Sequence, residues 1–191
     1  EEEGRGDMWV MFDNEEVGSG TRQGAMSSFL PDVLTRIGEA LGLSAQARRQ
    51  ALAGSLLLSA DNGHAVHPNF PEKADPANKV YPNGGVVIKY SANQKYTTTG
   101  LTAGLFQAIC QKAGVPVQVF ANRADEPGGS TLGNLLGHQV SIPMVDIGMA
   151  QLAMHSAVET AGSRDPEYMA RACAAFFQAE FTQTADGVYQ F

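Results

Sequence analysis

Four short stretches carry the side chains able to do chemistry. Asp13-Asn14-Glu15-Glu16 follows directly on the apolar residues 8–12. Of two adjacent carboxylates, one can hold a metal while its neighbour receives a proton from an activated water. The same pair also reads as an acidic turn facing solvent. Ser59 to Asn69 places Asp61, His64 and His67 in one short loop after a second apolar run. Aspartate and histidine are usual zinc ligands, although loop histidines also serve simply as hydrogen-bonding groups for backbone. His155 stands in Gln151-Leu152-Ala153-Met154-His155-Ser156, where a strand gives way to a predicted helix; a lone histidine there also has a structural reading. Gly128-Gly129-Ser130-Thr131-Leu132-Gly133 opens another predicted helix, and its amides could face an anion. It lacks the lysine of a nucleotide-binding loop, and Ser130 as an ordinary N-cap accounts for it equally well. His138 lies in a polar turn and is given no role.

The elements that must hold these groups follow from periodicity. Residues 8–12 and 55–59 are apolar runs ending in polar residues, as buried strands do. Residues 27–41 repeat apolar positions at helical spacing, with Gly42 at the stop, and 45–52 form a second helix. The Pro- and Asn-rich residues 67–85 read as a long irregular loop, and such a length favours a functional one. Strand 86–90, helix 100–113 and strand 115–121 alternate as parallel strands with crossover helices do. A helix from Ser130, a strand over 140–147 and helices from Ala153 and over 166–181 complete an α/β order.

The chain has 191 residues, 43% of them hydrophobic, enough for one core of ordinary size. Its net charge of −7 is dispersed, and no stripe of Lys and Arg could neutralise successive phosphates, so nucleic acid is not an expected partner. Cys110 and Cys173 lie far apart in apolar helical contexts, which suits a reducing compartment. No apolar run approaches the ~20 residues of a membrane span, and the acidic Glu1 to Glu3 are unlike a signal-peptide start. A cytoplasmic protein without membrane association is expected.

Five segments, in this order, closely resemble the aspartyl aminopeptidases, the M18 family. They are Asn14-Glu15-Glu16-Val17-Gly18-Ser19; Ser59-Ala60-Asp61 with His64-Ala65-Val66-His67-Pro68-Asn69; Lys89 with Gln94-Lys95-Tyr96; Gly129 to Gly133; and Gln151 to Ser156. The resemblance implies a three-layer α/β/α zinc-exopeptidase-like (phosphorylase/hydrolase-like) catalytic domain, of which residues 1–191 are the C-terminal part, without the N-terminal part and the inserted dimerisation domain. It implies two Zn²⁺ ions sharing a bridging hydroxide, with Co²⁺ or Mn²⁺ as substitutes. The implied reaction removes N-terminal residues, preferentially Asp or Glu, from peptides, and the implied assembly is a homo-oligomer, in the family a tetrahedral dodecamer.

By the same resemblance, Glu15 is the general base, Glu16 and His155 ligate one metal and Asp61 the other. His64, Lys89, Tyr96, Gly129, Ser130 and Thr131 line the substrate pocket. The family pattern also needs an upstream His and a bridging Asp, which nothing before Glu15 supplies, since Asp7 and Asp13 lie within or beside the strand leading to it. Two other readings share the fold: a catalytically silent assembly subunit, and a two-metal hydrolase of non-peptide amides. Metal content separates the first from an aminopeptidase, and a substrate panel the second.

Overall fold

Chain order in the computed structural model alternates helix and strand around a mixed sheet, and residues 5–185 and 188–190 are described. The acidic start, Glu1 to Glu3, lies outside them. Helix α1 spans Phe29–Ala40 and stops at Leu41, followed by Gly42 at φ 69°. Helix α2, Ala45–Ala53, is capped by Ser44, whose hydroxyl accepts from the Ala47 amide. Strand β1 is Leu57–Ala60, β2 is Gly63–His64 and β3 is Val86–Tyr90. Helix α3, Gly100–Lys112, opens on a reciprocal capping box between Thr99 and Thr102, which satisfies two amides that a first turn leaves bare. Then follow β4 (Val117–Ala121), α4 (Leu132–Gly137), β5 (Met144–Gly148), β6 (Ala150–Leu152), β7 (Thr160–Ala161) and α5 (Asp165–Gln178). A terminal hairpin pairs β8 (Thr182–Ala185) with β9 (Val188–Gln190).

The central sheet has the order β1-β5-β3-β4. Strands β3 and β4 are parallel and joined through α3, as the alternation predicts. Strand β5 runs parallel to β1 but antiparallel to β3, so the sheet is mixed rather than all parallel. Alternation along the strands sends side chains to two faces. Val86, Ile88, Val145 and Ile147 pack with Phe106 and Cys110 of α3 and Ala172 of α5. On the other face Met144 joins Leu30 of α1 and Leu136 of α4, while Val87 meets Ala65, Val80, Tyr96 and Phe120. Helices thus cover one face and helices with ordered loops the other, the three-layer α/β arrangement expected from the sequence.

Three expectations are corrected. Residues 8–12 form no strand; Met8, Val10 and Phe12 pack against the α1/α4 cluster while Trp9 and Met11 face outward, 62% and 80% exposed. The period of two is real, but no ladder partner turns it into a sheet member. Residues 153–159 are not helical, because Ala153 and His155 hold positive φ of 58° and 67°, values incompatible with a right-handed helix. Strand β5 begins at Met144, not at Val140.

Candidate functional site

The loop carrying Glu15 and Glu16 is folded on itself. The Gly18 amide donates to the Glu15 carbonyl at 3.1 Å, and the Met26 amide to the Ser19 carbonyl at 3.0 Å. Gly24 lies so close to Ser19 that a Cβ there would meet the Ser19 carbonyl oxygen at 2.3 Å, so only glycine closes this loop. Glu15 is half-buried. Burial first, then the negative charges of Asp61 and Glu16, raise its carboxyl above the ordinary glutamate value, while a hydrogen bond from Ser19 and the charge of His155 pull the other way. A carboxylate made more basic in this manner suits proton abstraction.

Asp61 leaves the C-terminal end of β1, and β5 ends beside it. A Cβ on Gly148 would lie 2.0 Å from the Asp61 carbonyl oxygen, so the two strand ends meet backbone to backbone. Lys89, from β3, is 1% exposed. Its Nζ donates to the Asp61 carbonyl at 2.7 Å and lies 3.5 Å from Asp61 Oδ2, with the Tyr96 ring centroid 5.3 Å away. Burial lowers the Lys89 pKa, and the carboxylates of Asp61, Asp146 and Glu15 oppose that shift. Tyr96 accepts a hydrogen bond from Asn122 Nδ2 at 3.0 Å, and burial pushes its phenol up.

His155 sits in the turn after β6. Its Nε2 lies 2.9 Å from Glu16 Oε2, and its amide donates to Glu159 Oε1. His64, at the end of β2, keeps one edge open to solvent. Desolvation first, then the nearby His155 and Lys89, hold its imidazole below the usual value, against the pull of Asp61. These electrostatic couplings bring Glu15, Glu16, Asp61, His64, Lys89 and His155 into one locality.

The glycine stretch borders the same face. Lys95 Nζ donates to the Gly128 carbonyl at 2.5 Å. Gly129 and Ser130 are exposed and Thr131 buried. The N-cap of α4 is Thr131, not Ser130, and the Thr131 hydroxyl donates to Asp146 Oδ1 at 2.6 Å rather than closing the helix.

Asp146 is a residue the sequence reading passed over. It is fully buried in β5 and accepts from Ser59 Oγ at 2.6 Å, from Thr131 Oγ1 and from the Thr97 amide and hydroxyl. Ser59 Oγ in turn accepts from the Gly133 amide at 2.8 Å. One carboxylate therefore ties β1, the segment after Tyr96 and the glycine stretch together. The signal was a single acid inside an apolar strand, since an ionised group is rarely buried without full hydrogen bonding.

Among the described residues, no three His, Cys, Asp or Glu side chains converge as a complete metal site. Glu16 and His155 nonetheless bring a carboxylate oxygen and an imidazole nitrogen within 2.9 Å of each other, donor types that suit zinc. The Asp61 carboxylate, an oxygen donor of the kind zinc takes, lies near enough to Glu15 for its charge to raise the Glu15 carboxyl. The residues present thus fit zinc as part of a coordination shell.

Comparisons with known proteins show the family. Residues 1–177 match the family described as aminopeptidase I zinc metalloprotease (M18). A probable M18 family aminopeptidase 2 of Mycobacterium bovis is 45% identical over 174 residues, covering 91% of this chain and 40% of the relative. A probable M18 family aminopeptidase 2 of Clostridium acetobutylicum is 46% identical over 166 residues, 87% of this chain and 38% of its own length. The chain therefore spans about 40% of the curated relatives it matches. A chain in the complex of Ape4 and Nbr1 superposes with TM-score 0.84 at 43% identity, over 87% of this chain and 32% of that one. The dodecameric mApe1 of Saccharomyces cerevisiae superposes with TM-score 0.75 at 31% identity, over 87% of this chain and 36% of that one. The chain belongs to the M18 family of zinc metalloprotease aminopeptidases.

Proposed function

We propose that this chain is the C-terminal part of the catalytic domain of a cytoplasmic two-zinc aminopeptidase that removes N-terminal residues, acidic ones by preference, from peptides. The observation that carries the reading is the approach of His155 Nε2 to Glu16 Oε2 at 2.9 Å, beside a glutamate of raised basicity. Glu16 and His155 hold one ion and Asp61 the other; the remaining His and bridging Asp come from outside this chain, which matches 40% of its relatives' length. Bound zinc supplies Lewis acidity to the scissile carbonyl and acidity to water.

The protein's own groups do the rest. Glu15 takes the proton from the attacking water and returns it to the departing amine. Lys89, at the floor of the pocket with Tyr96 and His64, offers positive charge to an acidic side chain. Gly129, Ser130 and Thr131 form the pocket wall that Asp146 anchors. A homo-oligomer, a tetrahedral dodecamer, is the proposed assembly, supported by the dodecameric solved relative.

The test is metal analysis and substrate release on the full-length enzyme. Two zinc ions per chain and faster release of N-terminal Asp or Glu than of Leu are expected, with activity restored to metal-free enzyme by zinc and by Co²⁺ or Mn²⁺. Zinc-free, inactive protein would favour a silent assembly subunit. Hydrolysis of acyl amides but not peptides would favour the related amidohydrolase.

A further inference from the structure

Asp61 and His155 depart from different strands, and the Asp61 amide still donates to the Ile147 carbonyl at 2.9 Å. Strand β2, one residue beyond Asp61, pairs with β6, just before the His155 turn, through Gly63↔Ala150 and His64↔Gln151. Regular pairing lapses only at 61–62 and 148–149, between this ladder and that of β1 with β5 in the same register. A side-chain link crosses this gap. Asn62 Nδ2 donates to Gln151 Oε1 at 2.6 Å, and the Met149 amide donates to Asn62 Oδ1 at 3.0 Å. Gln151 is 5% exposed, so its amide has little water to turn to, and breaking the pair leaves a polar group unsatisfied. The joint is held further by the Gly63 amide on the Met149 carbonyl at 2.9 Å and the Ala65 amide on the Gln151 carbonyl at 2.8 Å. The Asn62 carbonyl also faces Lys89 Nζ at 3.4 Å.

We infer that Asn62 and Gln151 form an amide strut that sets Asp61 against His155, making both positioning residues for the proposed zinc ligands. Neither offers an oxygen or nitrogen to the metal in this role. Asn62 adjoins Asp61 and so fixes where that carboxylate starts, while Gln151 anchors the short segment from which His155 projects. The inference rests on the zinc reading above. Groups that orient ligands in this way commonly govern metal affinity by about 10–100-fold.

The test uses the full-length enzyme with Gln151→Met, which keeps volume and removes the acceptor, and Asn62→Ala. Zinc affinity is read by competition with a fluorescent chelator, and the Tm of the metal-free protein alongside. Each variant is expected to weaken zinc binding by about 10-fold or more, with a metal-free Tm lowered by no more than ~4 °C. The double variant should bind no worse than the weaker single one, because both remove the same bond. Zinc affinity unchanged in Gln151→Met, or losses that simply add in the double variant, would overturn the strut. If Asn62→Ala does not fold, Gln151→Met decides alone. Wild-type enzyme that binds no zinc would instead overturn the zinc reading, and the strut with it.

Discussion

His155 Nε2 lies 2.9 Å from Glu16 Oε2, with both side chains about two thirds exposed, at 67% and 64%. An ion pair so open to water contributes little to folding. Replacing His155 with Ala should therefore leave the Tm of the metal-free enzyme nearly unchanged while lowering its zinc content and its activity. Asp61→Ala should also lose zinc. Atomic-absorption analysis of the purified variants checks this, and full zinc occupancy in either would reassign that residue from ligand to orienting group.

Glu15→Gln separates proton transfer from metal holding. The amide retains the shape of the side chain and its place beside Ser19 but cannot take a proton. Zinc stoichiometry should stay intact while kcat falls by about 10²–10⁴-fold. Loss of zinc in this variant would make Glu15 a ligand.

The Lys89 ammonium is buried between the Asp61 carbonyl and the Tyr96 ring. Lys89→Met should reduce kcat/KM for N-terminal Asp or Glu substrates by ~2–3 kcal/mol, the worth of a charge-assisted hydrogen bond. Hydrolysis of an N-terminal Leu should be nearly unaffected. Because Lys89 also touches the Asp61 carbonyl, an equal loss on both substrates would place it in support of Asp61 instead.

Removing the Asp146 carboxylate deprives the buried hydroxyls of Ser59 and Thr131, and the half-buried one of Thr97, of their acceptor. Asp146→Ala is expected to lower stability by ~3 kcal/mol or more, read from the denaturant midpoint at constant m-value. A change below ~1 kcal/mol would show that water replaces the carboxylate.

Periodicity revealed α1, β3 and α3 almost residue for residue, because each couples a clear apolar pattern to a local stop: Gly42, the polar stretch after Tyr90, and the threonine cap before Gly100. The short motifs singled out Glu15, Glu16, Asp61 and His155 as candidates, and the fold brings them to one locality. What stayed hidden depended on partners distant in sequence. Residues 8–12 carry a strand's pattern, yet nothing in the pattern says whether a neighbour exists. The reversal of β5 against β3 leaves no local trace. The left-handed turn at Ala153 and His155 lacks the glycine or asparagine that usually announces one, so a helix was expected there. Asp146 was concealed by its apolar neighbours, since its role is set by hydroxyls from three other segments.

The sheet also carries a timetable. The unit β3-α3-β4 is contiguous in the chain and closes a short loop, whereas β1 must wait for β5, far along the sequence, before it can pair. Closing the longer loop costs more chain entropy and is slower. Asp61 and the His155 turn hang from that later pairing, so the proposed zinc-holding groups are expected to come together after the scaffold around β3 has formed. A half-folded molecule would thus carry the candidate zinc ligands on chain segments not yet brought together.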